Sequence, residues 1–291
     1  MKAQILINRG GGSVGEVSAI RAALDAAGIA GEIRLLDGHE LHDAAKEAVT
    51  KRVGLVVAGG GDGTISCVAG ALAGTGTKLG ILPLGTLNHF ARDVGLPLDL
   101  GEAAAVVANG KPRAVDVAEV NGRLFVNNSA IGLYPLMVLD RDAQQRRLGR
   151  SKRLAMIVAS FRTLLRFHHR RLTLTVNEEP AGRVDTPLLF VGNNDYRVDI
   201  GAPGRRESLD DGELCVFVLR KKTAKGLIAA TVRALFNRSR DDDMVRIDGV
   251  ERLRVSSKRS HLAVSLDGET AMMETPLDYR IRPKALKVVA P

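Results

Sequence analysis

The chain has 291 residues, about twice the usual length of one domain, so two packed units are expected. Apolar residues make up 45% and aromatics 3%, with no Trp; this fits a core of Leu, Ile, Val and Ala and argues against aromatic platforms for single-stranded nucleic acid. The formal net charge of +9 points to an anionic partner, without choosing among phosphorylated metabolites, anionic lipid surfaces and nucleic acid.

The opening "MKAQILINRGGG" carries an apolar run that reads as a strand, too short for a signal peptide. No window reaches the ~18 apolar residues that a membrane span needs. A soluble cytoplasmic protein is therefore expected, with Cys67 and Cys215, each inside an apolar run, as buried reduced thiols. Up to about residue 115, strand and helix alternate: "AQILIN", "VSAIRAALDAAG", "EIRLLD", "LHDAAKEAV", "VGLVVAG", "ISCVAGALAG", "KLGILPL". Nearly all-apolar strands in that alternation predict a parallel sheet covered on both faces, with ligands at the strands' carboxyl ends.

The first strand-to-helix turn, "GGGSVG" (10–15), fits the G-x-G-x-x-G fingerprint of dinucleotide sites, with Asp37 ending the second strand. Since glycine-rich first turns arise easily and Asn8-Arg9 separate the strand from the glycines, a phosphate-facing loop of another kind is the preferred reading, ahead of a plain tight turn or a true dinucleotide site. In the third turn, "VVAGGGDGT", glycines allow backbone N–H groups close to a phosphate, and the helix starting near Thr64 aims its positive end there. An acid in such a loop repels phosphate unless a cation or a ribose hydroxyl stands between them. Asp62 thus argues for Mg²⁺ with a nucleotide, the plainer alternative being a turn or helix-cap residue. The fourth turn, "LPLGTLNHFARD" (82–93), repeats the design, and Thr86 and Asn88 could cap the next helix while facing the same cleft.

After "GEAAAVVANGKP" the texture changes to short, roughly alternating strands, and a β-rich domain is expected over 116–291, following an α/β domain over 1–115. Asn121-Gly122 is a hairpin signal between "AVDVAEV" and "RLFVNNSAIG". Further strands are read at "RLTLTV", "TPLLFVGN", "ELCVFVL", "MVRIDGVERLRVSS", "HLAVSLDG" and "LDYRIRP". Within 151–168, Leu154, Ile157, Val158, Phe161, Leu164 and Leu165 recur at helical spacing, with Arg162 and Arg166 on another face.

Five stretches, "GGGDGT", "LPLGTLNHFARDVGLP", "VDVAEVNGRLFVNNSAIG", "LDDGELCVFVL" and "VSLDGE", resemble in content and order those of the diacylglycerol kinase catalytic-domain family, which includes sphingosine kinases and small bacterial lipid kinases. The resemblance implies an N-terminal α/β nucleotide-binding domain, a C-terminal β-sandwich and an ATP site in the cleft between them. By motif, it implies that Asn8, Gly10, Gly11, Gly12, Gly60, Gly61, Asp62, Gly63, Thr64 and Thr86 lie near the phosphates, with Asn88 beside them. It places Asp116 near metal and nucleotide, and assigns a structural Mg²⁺ to the Asp211 side chain with carbonyls near Ser208 and Glu213. Read alone, Asp210-Asp211-Gly212 is an ordinary hairpin turn. Glu269, in "SLDGET", matches the family's proposed general base; otherwise it is an exposed glutamate beside the Asp267-Gly268 turn.

Two departures stand out. His89 replaces the acid of the family's Asn-Asp-Phe, and imidazole cannot replace a hard oxygen ligand for Mg²⁺. Arg9 replaces the proline of the early Asn-Pro, to serve phosphate or to sit in solvent. The activity implied is ATP-dependent phosphorylation of a lipid hydroxyl, with Glu269 taking the proton and Asp62 and Asp116 organising Mg²⁺. Residues 141–171 carry ten Arg or Lys against one Asp, either a solvated face or a means of docking at the inner face of the membrane. The rival readings are an NAD kinase and a catalytically silent lipid- or nucleotide-binding homologue. Nucleic acid is not an expected partner, and a homodimer is compatible with these observations.

Overall fold

The computed structural model describes residues 3–10, 17–133, 135, 169–196, 206, 208–220, 223, 226 and 243–291. The helix expected at 151–168 and the glycines at 11 and 12 lie outside the described residues. The chain forms two compact units that interleave in sequence: Met1–Val126 with Arg206–Gly212 and Arg282–Pro291, and Asn127–Arg205 with Glu213–Ile281. The sequence reading expects two consecutive stretches, 1–115 and 116–291, with no return of the chain.

In the first unit the expected alternation is present: β1 (Gln4–Asn8), α1 (Val17–Ala26), β2 (Ile33–Leu36), α2 (Leu41–Thr50), β3 (Leu55–Gly60), α3 (Asp62–Leu72), β4 (Lys78–Pro83), α4 (His89–Asp93), α5 (Leu100–Asn109), β5 (Lys111–Val120) and β6 (Arg123–Phe125). The first four strands are parallel in the order β2-β1-β3-β4. Successive side chains of a strand face opposite ways, and here both faces are buried. Leu6, Val56, Ala58, Leu79 and Ile81 pack with Leu41, Ala45, Val68 and Leu72 of α2 and α3. Ile5, Ile7, Val57 and Leu82 pack with Ile20, Leu24, Ala104 and Val107 of α1 and α5. Each fully buried Leu, Ile or Val contributes roughly 1.5–3 kcal/mol, which explains why these strands carry no polar alternation. Because β2 and β3 flank β1 on opposite sides, the connections leaving β1 and β3 diverge, and the crevice at such a switch point is where open α/β sheets bind ligands.

Asn121 and Gly122 take positive φ values (46° and 79°) in the β5–β6 hairpin, as their sequence predicts. The end of the last strand, β16 (Leu277–Ala290), completes this unit, running parallel to β4 through Lys287 and Val288.

The second unit contains β7 (Asn128–Gly132), β8 (Arg170–Val176), β9 (Glu179–Thr186), β10 (Leu188–Asn193), β11 (Leu214–Leu219), β12 (Met244–Val250), β13 (Arg252–Ser257), β14 (His261–Leu266) and β15 (Glu269–Glu274), with the start of β16. One sheet runs β12-β11-β10-β7-β14-β15, antiparallel throughout. In the other, β13 pairs with β8 and with Leu277–Arg280 of β16, and β9 lies on β8. Tyr279 of the second sheet meets Ser129 of the first, hydroxyl to hydroxyl at 3.0 Å. Burial pushes the Tyr279 phenol above the usual tyrosine range, a rise that the Ser129 bond partly opposes.

Two expected strands are divided. "RLFVNNSAIG" breaks into β6 and β7, and "MVRIDGVERLRVSS" breaks at Glu251 into β12 and β13, which join different sheets. Cys215 is buried as expected and its thiol is pushed up by that burial; Cys67 is only half-buried, on α3. Among the described residues, no helix is long and apolar enough to cross a membrane.

Candidate active site

At the carboxyl ends of β1, β3 and β4, three loops interlock. Asn8, the last residue of β1, accepts the Gly10 N–H at 3.0 Å and donates through Nδ2 to Thr64 Oγ1 at 2.8 Å, joining the loops on the two sides of the switch point. Thr64 is buried in the first turn of α3. Its side chain fills the space a Cβ on Gly60 would need, 2.4 Å from its Oγ1, so only glycine fits there. Likewise a Cβ on Gly85 would stand 2.4 Å from the Cα of Gly61 and 2.7 Å from Asn88 Oδ1. The two glycine turns thus touch backbone to backbone.

Asp62 opens α3, where the helix end carries partial positive charge and favours a carboxylate. Its Oδ1 accepts the backbone N–H of Phe90, in the first turn of α4, at 3.1 Å. Among the described residues, Oδ2 takes no hydrogen-bond partner. This arrangement corrects the capping expected of Asn88, whose side chain makes no helix-cap bond. Asn88 is buried at φ 50°; its Oδ1 accepts the Gly85 N–H, and its Nδ2 donates to the carbonyls of Pro83 and Gly85. It shapes its own loop, and the distant Asp62 reaches α4 instead. Thr86 is exposed on that loop, and His89 is half-buried at the start of α4. Arg9 is exposed, in line with the solvent alternative; it donates to the Leu35 carbonyl at 3.1 Å and stands 3.7 Å from Asp37, so the acid of the apparent dinucleotide fingerprint already has a cation beside it.

Asp116, 1% exposed on β5, uses both carboxylate oxygens on backbone donors: Oδ2 accepts the Gly212 N–H at 2.8 Å and Oδ1 the Lys284 N–H at 2.7 Å. A carboxylate satisfied in this way fastens the returning 206–212 segment and the end of β16 to β5. In that segment Ser208 Oγ pairs with Asp210, at 3.1 Å from Oδ1, and Asp211 is exposed at a turn that Gly212 (φ 76°) completes. Glu213, the next residue, belongs to the second unit; its carbonyl accepts the Asn194 N–H at 3.0 Å, and its carboxylate accepts the Gly249 N–H at 3.0 Å. In the second unit, Glu269 is exposed at the start of β15, opposite Leu266 across the Asp267-Gly268 turn (φ 47° and 87°). Asp267 Oδ1 accepts the N–H groups of Asn127 and Asn128, which pins that hairpin to the start of β7.

No three His, Cys, Asp or Glu side chains converge among the described residues. Mg²⁺ in phosphoryl-transfer sites is commonly held by one or two carboxylates plus the nucleotide's own phosphates. The open Oδ2 of Asp62, a hard oxygen whose sister atom is fixed by Phe90, fits that smaller requirement.

Residues 2–120 match the diacylglycerol kinase catalytic domain, and residues 138–290 match the YegS C-terminal NAD kinase beta sandwich-like domain. A diacylglycerol kinase of Bacillus subtilis (strain 168) is 30% identical over 230 residues, covering 78% of this chain and 74% of that protein. The chain belongs to the diacylglycerol kinase family. Another member, named "Probable lipid kinase YegS-like", from Yersinia pestis (strain Pestoides F), is 29% identical over 238 residues, covering 77% of this chain and 75% of its own.

The family likeness extends to the fold. The crystal structure of a diacylglycerol kinase from Bacillus anthracis superposes with a TM-score of 0.71 at 21% identity, covering 100% of this chain and 97% of that one. An NAD kinase from Archaeoglobus fulgidus, solved in complex with ATP, is more distant, with a TM-score of 0.54 at 13% identity over 99% and 92% of the two chains. The motif-bearing residues that the structure gathers at one place are Asn8, Gly10, Gly60, Gly61, Asp62, Thr64, Gly85 and Asn88. Gly85, which the sequence reading sets at the end of the apolar strand in the fourth turn without naming it a site residue, joins the site through its contact with Gly61. Sequence reasoning missed Phe90, which acts through a backbone N–H that any residue but proline would supply.

Proposed function

We propose that the chain is a lipid kinase that transfers the γ-phosphoryl group of ATP to the hydroxyl of a membrane lipid. The observation that carries this reading is the interlocked pair of glycine turns with the Asp62 Oδ2 open beside them. Gly60 and Gly85 let Thr64 and the Gly61 backbone pack against them and so hold the turns together, and the first turn of α3 supplies N–H donors for phosphate oxygens. Asn8 and Asn88 hold these turns in place through their hydrogen bonds, so the donors are oriented before the nucleotide arrives. Mg²⁺, when bound, would screen the phosphate charge, and Asp62 is the residue to hold it. Glu269 is assigned the removal of the acceptor's proton on family resemblance. Asp116 acts as a backbone clasp, which supports a structural part for it. Since phosphoryl transfer is catalysed chiefly by positioning and electrostatics, this division between orienting residues and one metal-holding acid suits the chemistry.

Incubation with γ-labelled ATP, Mg²⁺ and either a total lipid extract or NAD tests the reading. Label is expected in the lipid fraction. Label in NAD alone would establish the NAD kinase alternative, and label in neither would favour the silent homologue.

A further inference from the structure

Beside the glycine turns, one buried charge pair is connected to the reactive acid. Arg206 Nε donates to Asp93 Oδ2 at 2.8 Å, with the two side chains 0% and 5% exposed. The same guanidinium donates through Nη1 to the Val126 carbonyl at 2.6 Å, and its Cζ stands 5.7 Å from the centre of the Phe90 ring. Phe90 is fully buried, and its backbone N–H is the group that holds Asp62 Oδ1. Phe90 and Asp93 belong to α4, so Arg206 grips the side of the helix whose first turn bonds Asp62.

The segment carrying Arg206 is itself anchored. Leu209 is buried in the core of the first unit and its carbonyl accepts the Asp116 N–H at 2.8 Å, while the Gly212 N–H bonds the Asp116 carboxylate. Withdrawing a guanidinium and a carboxylate from water is costly for each ion, and an apolar pair of similar size would often hold the fold as well. What an apolar pair lacks is the directional fork of arginine, which fixes orientation.

We propose that Arg206 is a positioning residue for phosphoryl transfer: its buried pair with Asp93 fixes α4, and α4, through the Phe90 N–H, fixes the Asp62 carboxylate. This rests on the lipid-kinase reading of the site. The test is the double variant Arg206→Gln/Asp93→Asn, which removes both charges together so that neither is left buried and unpaired. The expected result is a kcat lower by about 10- to 100-fold, as a misplaced catalytic group costs, with the KM for ATP changed less than about threefold. The Phe90 amide should also exchange with solvent at least about tenfold faster. In an Asp62→Asn background the same double change should lower kcat no further, since coupled residues are not additive.

Unchanged kcat with an unchanged Phe90 exchange rate would overturn the proposal, as would losses that multiply in the Asp62→Asn background. If the double variant does not fold, Arg206→Lys, which keeps the charge without the fork, carries the same measurements. The Phe90 exchange rate needs no turnover, so it decides the positioning claim even if the wild-type chain labels no lipid, an outcome that would sink the kinase reading alone.

Discussion

The two ends of the β1–β3 strands differ in how their charges are paired. At the carboxyl ends, turns pack so closely that Gly85 and Gly61 meet backbone to backbone. At the amino ends, a groove of about 650 Å³ opens between the starts of the strands and the end of α2, lined by Gln4, Arg34, Glu47 and Lys51 among others. This groove is chemically quiet. Arg34 Nη1 lies 2.9 Å and Lys51 Nζ 2.6 Å from the Glu47 carboxylate, and the Lys51 hydrogen bond, then that of Arg34, holds the Glu47 carboxyl below its ordinary range. Here the one carboxylate is held by two cations, whereas the glycine turns leave one acid oxygen, Asp62 Oδ2, without a partner among the described residues. In this unit the end proposed to bind the nucleotide is marked by oriented turns and an unspent charge.

The contrast can be broken or sharpened by substitution at either end. The largest effect is expected from Asp62→Asn, which removes the charge proposed to hold the metal but can keep the Phe90 bond: a kcat loss on the order of 10²- to 10³-fold, comparable to losing a preorganised electrostatic contact, with the thermal midpoint little changed. A midpoint that drops with activity would make Asp62 a structural residue. Next comes Gly85→Ala. Its methyl must displace the Gly61 backbone, which costs roughly 1–3 kcal/mol of stability as overpacking does and should lower ATP affinity; calorimetric unfolding and nucleotide titration would measure both. Smallest is the double change Arg34→Ala/Lys51→Ala at the groove, expected to leave turnover within about twofold, since exposed pairs contribute little. A severe loss there would show that the quiet end is not quiet.

Much of this arrangement was legible in the sequence because it depends on local chemistry. Apolar runs fixed the parallel strands, Asn121-Gly122 and Asp267-Gly268 marked their hairpins, and the glycine triplets marked the turns at the switch point. The failures have physical causes. β9 was missed because it is an exposed edge strand, with proline, glycine and charges in place of apolar alternation. The split at Glu251 is invisible since both halves alternate in the same way, and only pairing assigns them to different sheets. The bonds of Asp62 to Phe90, Asp116 to Lys284 and Arg206 to Asp93 join residues 28, 168 and 113 positions apart, and no local pattern announces them.

The central claim, that the glycine turns at the carboxyl ends of β1, β3 and β4 are the ATP site, is tested most directly by backbone amide exchange with and without Mg²⁺-ATP. Slowed exchange is predicted at residues 8–10, 59–64 and 85–90, with no change at 31–34 and 47–54. Protection of the groove residues, with the glycine turns unaffected, would contradict it.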